Sequence, residues 1–147
     1  MDISLYKVTE FSYADIAELI TTSTAENFRH MQRLWDDFQI GKNRFDKRGE
    51  ILLLAKIGEK VVGVCGLNRY DYWGENVARL RRMYVLKEYR RMGIARKLTE
   101  EIIKNARENF DTIVLKTDNP GAFAFYKSLG FDKVAGDEFV THVLKIR

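Results

Sequence analysis

A single cysteine, Cys65, excludes an internal disulfide and with it the stapled scaffolds of small secreted proteins. Only two histidines are present, His30 and His142, and neither has acids or thiols at ligand spacing, so no metal site is expected. One proline and the lack of any low-complexity stretch argue against disorder. No apolar run reaches the roughly 18 residues a membrane-spanning helix needs. The opening Met1-Asp2-Ile3-Ser4 lacks the basic and apolar regions of a signal peptide, which makes the cytoplasm the expected location.

What is present suits one globular domain over residues 1–147, with 46 % hydrophobic and 31 % charged residues. The net charge of +4 is unevenly spread. Eight basic residues (Arg79, Arg81, Arg82, Lys87, Arg90, Arg91, Arg96, Lys97) and one acid, Glu88, fall in the stretch 79–97, which carries +7 and leaves −3 elsewhere. A local positive field on a near-neutral body suits an anionic partner, although a solvated basic face would look the same.

Hydrophobic periodicity predicts the order β-α-α-β-β-β-α-β-α-β-β, an α/β (α+β) domain with a mixed central sheet of about seven strands. Ile3 to Val8 reads as an edge strand. Ser12 with Asp15 signals a helix start, and Ile16, Leu19 and Ile20 form its stripe. Thr24 is expected to cap a second helix carrying Phe28, Met31, Trp35 and Phe38 on one face. Residues 41–49 read as a loop. The strands 51–57 and 61–67 flank the turn Gly58-Glu59-Lys60, with Gly63 and Gly66 leaving room for close neighbours. A polar and aromatic loop, 68–76, precedes the strand 77–86. A helix follows from about Ile94, with the stripe Ile94, Leu98, Ile102, Ile103, Ala106 and Phe110. Residues 112–117 read as a buried strand. Asn119-Pro120 opens the last helix, which stops at Gly130. Strands at 131–135 and 139–146 close the chain. The helix between the fourth and fifth strands implies a right-handed parallel crossover at the centre of the sheet.

The chemistry concentrates in Arg90-Arg91-Met92-Gly93-Ile94-Ala95, between a strand and a helix. A helix start exposes unpaired N–H groups and favours an anion, Gly93 and Ala95 let a phosphate approach the backbone, and Arg90 and Arg91 add charge. These features suit a pyrophosphate. The stretch from Leu80 to Leu98 resembles the acetyl-CoA motif of the GNAT superfamily of acyl-CoA-dependent N-acyltransferases, whose core reads Arg/Gln-x-x-Gly-x-Gly/Ala. A second segment, Asn119 to Phe131, resembles that family's Asn…Ala…Tyr…Gly-Phe run, and the element order agrees.

The resemblance implies acetyl-CoA as co-substrate, no metal, and direct transfer of the acetyl group to an amine of a small molecule or peptide. It implies that Arg90, Arg91, Met92, Gly93, Ile94 and Ala95 hold the pyrophosphate. The backbone of Met83, Tyr84 and Val85 would line the pantetheine arm along a splayed fourth strand, with Asn119 touching that arm. The splay implies a bulge that the sequence does not locate. The Val85 N–H is the expected donor to the acetyl oxygen, and Tyr126 the expected acid at the sulfur. Relatives often carry a glutamate base where this chain has Arg79. Asp71 and Glu75 in the preceding loop are the substitute candidates, with a water chain or an already neutral amine as alternatives. Arg79 itself is a candidate for binding a substrate carboxylate, with Tyr72 and Trp73 reaching the acceptor. Cys65 and His142 read as core residues. Two rival readings stay open: a catalytically silent acyl-CoA sensor, and a nucleic-acid module using the +7 stretch, which lacks a zinc or RNA-binding motif. No membrane partner is expected, and the protein is read as a monomer or homodimer.

Overall fold

The structure is a computed structural model describing residues 2–147; Met1, where the leader reading begins, lies outside them. Seven strands form one sheet: β1 (Ile3–Lys7), β2 (Ile51–Ile57), β3 (Lys60–Arg69), β4 (Val77–Val85), β5 (Thr112–Leu115), β6 (Asp132–Lys133) and β7 (His142–Lys145). Their order across the sheet is β1-β2-β3-β4-β5-β7-β6. Among the described residues only β4 and β5 pair in parallel, as the intervening helix requires. Four α-helices are α1 (Tyr13–Ala25), α2 (His30–Gln39), α3 (Ile94–Ala106) and α4 (Pro120–Ser128). No helix among the described residues is long and apolar enough to cross a membrane.

Local chemistry sets these elements. The Asp15 carboxylate accepts from the Ser12 N–H at 3.0 Å, closing the first turn of α1. Asn119 Oδ1 accepts from the Gly121 N–H at 2.9 Å at the start of α4, with Pro120 at the first helical position. The stripe Ile94, Leu98, Ile102, Ile103 and Ala106 buries one face of α3 against β2, β3 and β4. The helices α1 and α2 cover the opposite face.

The two glycines of β3 mark the two faces. A Cβ on Gly63 would stand 3.2 Å from Ile94 and 3.3 Å from Leu98, so α3 lies directly on the strand there. On the other face, a Cβ on Gly66 would fall 2.3 Å from the buried ring of Phe45. Phe45 is held in a left-handed backbone conformation and cannot withdraw without disturbing its loop. Gly66→Ala is therefore expected to lower unfolding stability by about 1–3 kcal/mol through overpacking. Urea titration measures this, and an unchanged midpoint would refute it.

Several boundaries differ from the sequence reading. Thr24 lies inside α1 rather than capping α2, because α1 continues to Ala25. Phe28 falls in the turn between the helices, about half exposed, instead of on the buried face with Met31 and Phe38. Phe110 lies beyond α3 yet is fully buried, filling the space beneath Gly49. The last two strands are shorter than the hydrophobic run suggests, and β7 inserts between β5 and β6.

Candidate active site

The missing bulge lies in β4. Register runs Gly66 opposite Arg81, then Val64 opposite Tyr84, so Arg82 and Met83 together face the single residue Cys65. Arg82 carries the left-handed φ of +60° that accommodates the extra residue. On its other side β4 pairs with β5 only over Val77–Arg79. From Leu80 to Val85 that edge has no strand partner among the described residues, and a gap opens between the C-terminal ends of two parallel strands. The Leu86 N–H donates to the Val62 carbonyl on β3. Alternation then turns the Val85 N–H away from β3 and into the gap.

The chain leaves this edge through a short 3-10 turn, Lys87–Tyr89, and arrives at α3 through two left-handed residues, Arg91 (φ 65°) and Gly93 (φ 82°). A Cβ on Gly93 would meet nothing, so the space above the backbone is open. The N–H groups of Arg91, Met92, Gly93, Ile94, Ala95 and Arg96 have no acceptor among the described residues. Alternating left- and right-handed residues turn such groups into an anion-binding concavity, here set at a helix N-terminus. The Arg91 side chain is exposed beside it.

Arg90 does something the sequence did not indicate. Its guanidinium grips Glu26 at the end of α1 with two hydrogen bonds of 2.9 Å, and its Nε donates to the Val85 carbonyl at 2.9 Å. The Tyr84 hydroxyl donates to the same Glu26 carboxylate, and its oxygen lies within hydrogen-bond distance of the Thr22 hydroxyl at 3.1 Å. The Arg90 hydrogen bonds hold the Glu26 carboxyl below its usual range, and burial pushes the Tyr84 phenol up. The Arg90 side chain thus positions the end of β4, while Tyr84 ties β4 to α1. The one sequence signal for Glu26 was an acid at a helix C-terminus, where the dipole disfavours it.

Tyr126 lies on α4, 6 % exposed, with its ring 5.6 Å from Phe131 and 6.3 Å from His142. Its neighbour His142 pairs with Leu115 at the C-terminal end of β5, which places Tyr126 beside that end of the sheet. Its hydroxyl has no hydrogen-bond partner among the described residues. Burial, with a smaller effect of Cys65, pushes the phenol well above the ordinary tyrosine value, so it holds its proton. Cys65 is fully buried and its thiol is pushed up by burial. His142 packs between Phe123 and Tyr126, and burial lowers its pKa. Asn119 spends its carbonyl oxygen on the α4 cap, leaving its amide N–H groups free at the exit of β5.

His30, one of the two histidines, opens α2 and hydrogen-bonds the Met83 carbonyl through Nε2 at 3.0 Å. A carbonyl only accepts, so Nε2 carries the proton and Nδ1 is left as an acceptor. Burial, outweighing the bond to Met83, pushes its pKa below the usual histidine value. The Met83 and Val85 carbonyls each already accept one bond, so this edge offers a ligand mainly its N–H groups.

The acid candidates lie elsewhere. Asp71 pairs with Arg69 at 3.7 Å, and the Glu75 carbonyl accepts from Arg69 at 3.1 Å. Both residues line a separate cavity of about 530 Å³ with Arg48 and Asn109. It lies beyond the Val77 end of β4, some 20 Å or more from Val85 at about 3.3 Å per residue. Nothing brings either carboxylate to the gap. Arg79 lies over the Tyr70 ring at 5.3 Å rather than standing free. Tyr72 is almost fully exposed beside Tyr70, and Trp73 Nε1 donates to Asp137 Oδ2 at 3.1 Å, tying this loop to the one before β7. Among the described residues no group of three or more His, Cys, Asp or Glu is placed to hold a metal.

Comparison with known proteins agrees with this geometry. Residues 13–131 match the sequence profile of the Acetyltransferase (GNAT) family. Human N-acetyltransferase 8 is 32 % identical over 109 residues, covering 71 % of this chain and 48 % of that protein. The N-alpha-acetyltransferase RimI of Mycobacterium tuberculosis is 31 % identical over 80 residues, covering 54 % of this chain and 51 % of its own length. The chain thus spans about half the length of these curated relatives. A solved structure from Exiguobacterium sp. 255-15 superposes with a TM-score of 0.85 at 28 % identity, covering 99 % of this chain and 94 % of that one. The acetyltransferase from Streptococcus agalactiae 2603 shares the fold, with a TM-score of 0.78 at 24 % identity over 97 % of this chain and 98 % of its own. The profile begins in α1, takes in the bulged strand, the open edge and the N–H concavity, and ends just past α4: the chain belongs to the acetyltransferase (GNAT) family.

Proposed function

We propose that this protein transfers the acetyl group of acetyl-CoA directly to the amine of a small molecule or peptide. The observation that carries the reading is the continuity of two features: the unpaired β4 edge from Leu80 to Val85 runs straight into the unsatisfied N–H groups of Arg91–Arg96. An extended pantetheine arm fits the first as an added strand, and a pyrophosphate fits the second. Arg91 supplies charge to the phosphates, and the free amide N–H groups of Asn119 face the arm.

The residues around the gap divide the chemistry. The Val85 N–H donates to the thioester oxygen, where negative charge develops as the amine nitrogen bonds to the carbonyl carbon. His30 Nδ1 takes the proton the amine must lose. It lies beside Met83, two residues and about 7 Å along the strand from Val85. Tyr126 donates a hydrogen bond to the sulfur as the C–S bond breaks. A phenol pushed above its ordinary value is a weaker acid than a thiol, so it stabilises the thiolate without surrendering its proton outright. His30 thereby takes the place of the strand glutamate that Arg79 lacks.

The test is thermal unfolding with and without acetyl-CoA, with ATP as the anion control, followed by thiol release on an amine panel. Acetyl-CoA at 100 times its Kd is expected to add about 2.7 kcal/mol of stability, a rise of several degrees for a domain of this size. No rise at millimolar acetyl-CoA would refute the donor.

A further inference from the structure

On the α2 side of the bulge lies a cavity of about 580 Å³, between α2, the loop 41–50 and the β3–β4 pair. Consecutive strand residues normally point to opposite faces, yet Arg81 and Arg82 both line it. The bulge is the cause: the left-handed Arg82 turns onto the side that Arg81 already occupies. We propose that this cavity receives a carboxylate carried by the acceptor amine, with Arg81 and Arg82 on its floor and Arg33 at its α2 wall. The assignment rests on the acetyl-transfer reading above and names the acceptor class that reading left open.

Charge accounting favours an anion. Seven cationic residues line the cavity against three acids, Asp37, Asp46 and Glu50. Glu50 is already engaged, accepting from the Asn68 amide at 3.0 Å, the Arg69 N–H at 2.9 Å and the Lys47 N–H at 3.1 Å. Asp37 reaches Arg82 only at 3.7 Å, longer than a hydrogen bond. Arg81 makes no side-chain hydrogen bond or ion pair among the described residues, although it is only partly exposed. Burial pushes the Arg82 guanidinium down to about 10 and lowers that of Arg81, the signature of desolvated charge that lacks full compensation. A planar carboxylate supplies the two acceptors that an arginine fork fits. Asp37 and Glu50 in the wall favour a singly charged group over a phosphate dianion.

Position favours the acceptor as the source. The floor of the cavity ends at Arg82, and the next residue is Met83, whose carbonyl holds His30. Arg82 directly precedes Met83 and Arg33 lies one helical turn beyond His30 on α2, so cavity and proton acceptor adjoin. A carboxylate held there leaves an amine a few bonds away free to reach His30 Nδ1 and the β4 edge. Arg79, stacked on Tyr70, is not the reader; Arg81 is.

Matched amines decide this: lysine against cadaverine, tyrosine against tyramine, histidine against histamine, with thiol release as readout and the acetyl-CoA thermal shift recorded for every variant. The wild-type protein is expected to favour the carboxylate member by at least about ten-fold in kcat/KM. Arg81→Gln is expected to reduce that preference about ten- to hundred-fold, and Arg81→Glu to reverse it. Arg33→Ala, at an exposed helix position, keeps the test sound if the strand variants fold poorly; it is expected to reduce the preference several-fold with an unchanged melting temperature. No wild-type preference, or one that survives both Arg81→Gln and Arg33→Ala, overturns the assignment. So does faster turnover of O-phosphoethanolamine than of β-alanine. Acetyl-CoA binding without acetylation of any amine overturns the transfer reading and this assignment with it.

Discussion

Replacing Tyr126 by Phe is expected to lower kcat about a hundred-fold while leaving the fold and acetyl-CoA affinity nearly intact. The hydroxyl has no partner to orphan, so its removal leaves no unsatisfied buried group, and the ring keeps its packing against Phe125 and Phe131. Its one task is to meet sulfur as negative charge develops there. An interaction made only in the transition state appears in kcat and kcat/KM together and leaves ground-state binding alone. Single-turnover kinetics with acetyl-CoA at saturation measures the effect free of product release. A loss under about three-fold would make Tyr126 a packing residue. The pH profile adds a check whose sign follows from burial. The protonated phenol is the working form, and burial raises its pKa, so Tyr126 imposes no alkaline loss below the ordinary tyrosine value near 10.

How far the sequence exposes this site depends on the range of each interaction. The concavity at Arg91–Ala95 is local: strand, left-handed glycine and helix start are adjacent in the chain, and Gly93 together with the α3 stripe announces them. The Asn119 cap and the termination of α4 near Gly130 are local for the same reason. The bulge is not, because it exists only as a mismatch between β3 and β4, and a left-handed arginine carries no compositional mark as a glycine would. His30 at the Met83 carbonyl is 53 residues distant in sequence, and Glu26 at Arg90 is 64. Both contacts are set by how α1 and α2 lie on the sheet. Asp71 and Glu75 invited a catalytic reading by being near β4 in sequence, but a strand of nine residues carries its two ends far apart, and they lie at the wrong one. Arg79 drew notice as a departure at a familiar position, whereas the bulge just beyond it hands the cavity to Arg81 and Arg82. Side-chain type marked the site locally; the strand irregularity decides which residues face it.

The same irregularity fixes the second large effect. His30→Gln keeps an N–H to donate to the Met83 carbonyl but removes the titrating ring nitrogen. Loss of a general base is expected to lower kcat about 10²- to 10³-fold. The pH dependence separates catalysis from positioning. The base must be neutral, and burial with the neighbouring Arg82 and Arg33 lowers the His30 pKa below the usual 6.5. In the wild-type protein, then, kcat/KM is expected to hold steady as pH falls through 6.5 and to drop only below it, as the ring protonates. Ionisation of an aliphatic amine acceptor falls several units higher and does not overlap this limb. In His30→Gln the limb below 6.5 is expected to vanish along with the rate. A His30→Ala variant that matches Gln in rate assigns the loss to the ring nitrogen, since only Gln preserves the bond to Met83. A limb that persists in both variants would assign the proton to another group, and a rate within three-fold of wild type would leave His30 as the residue that merely fixes the bulge against α2.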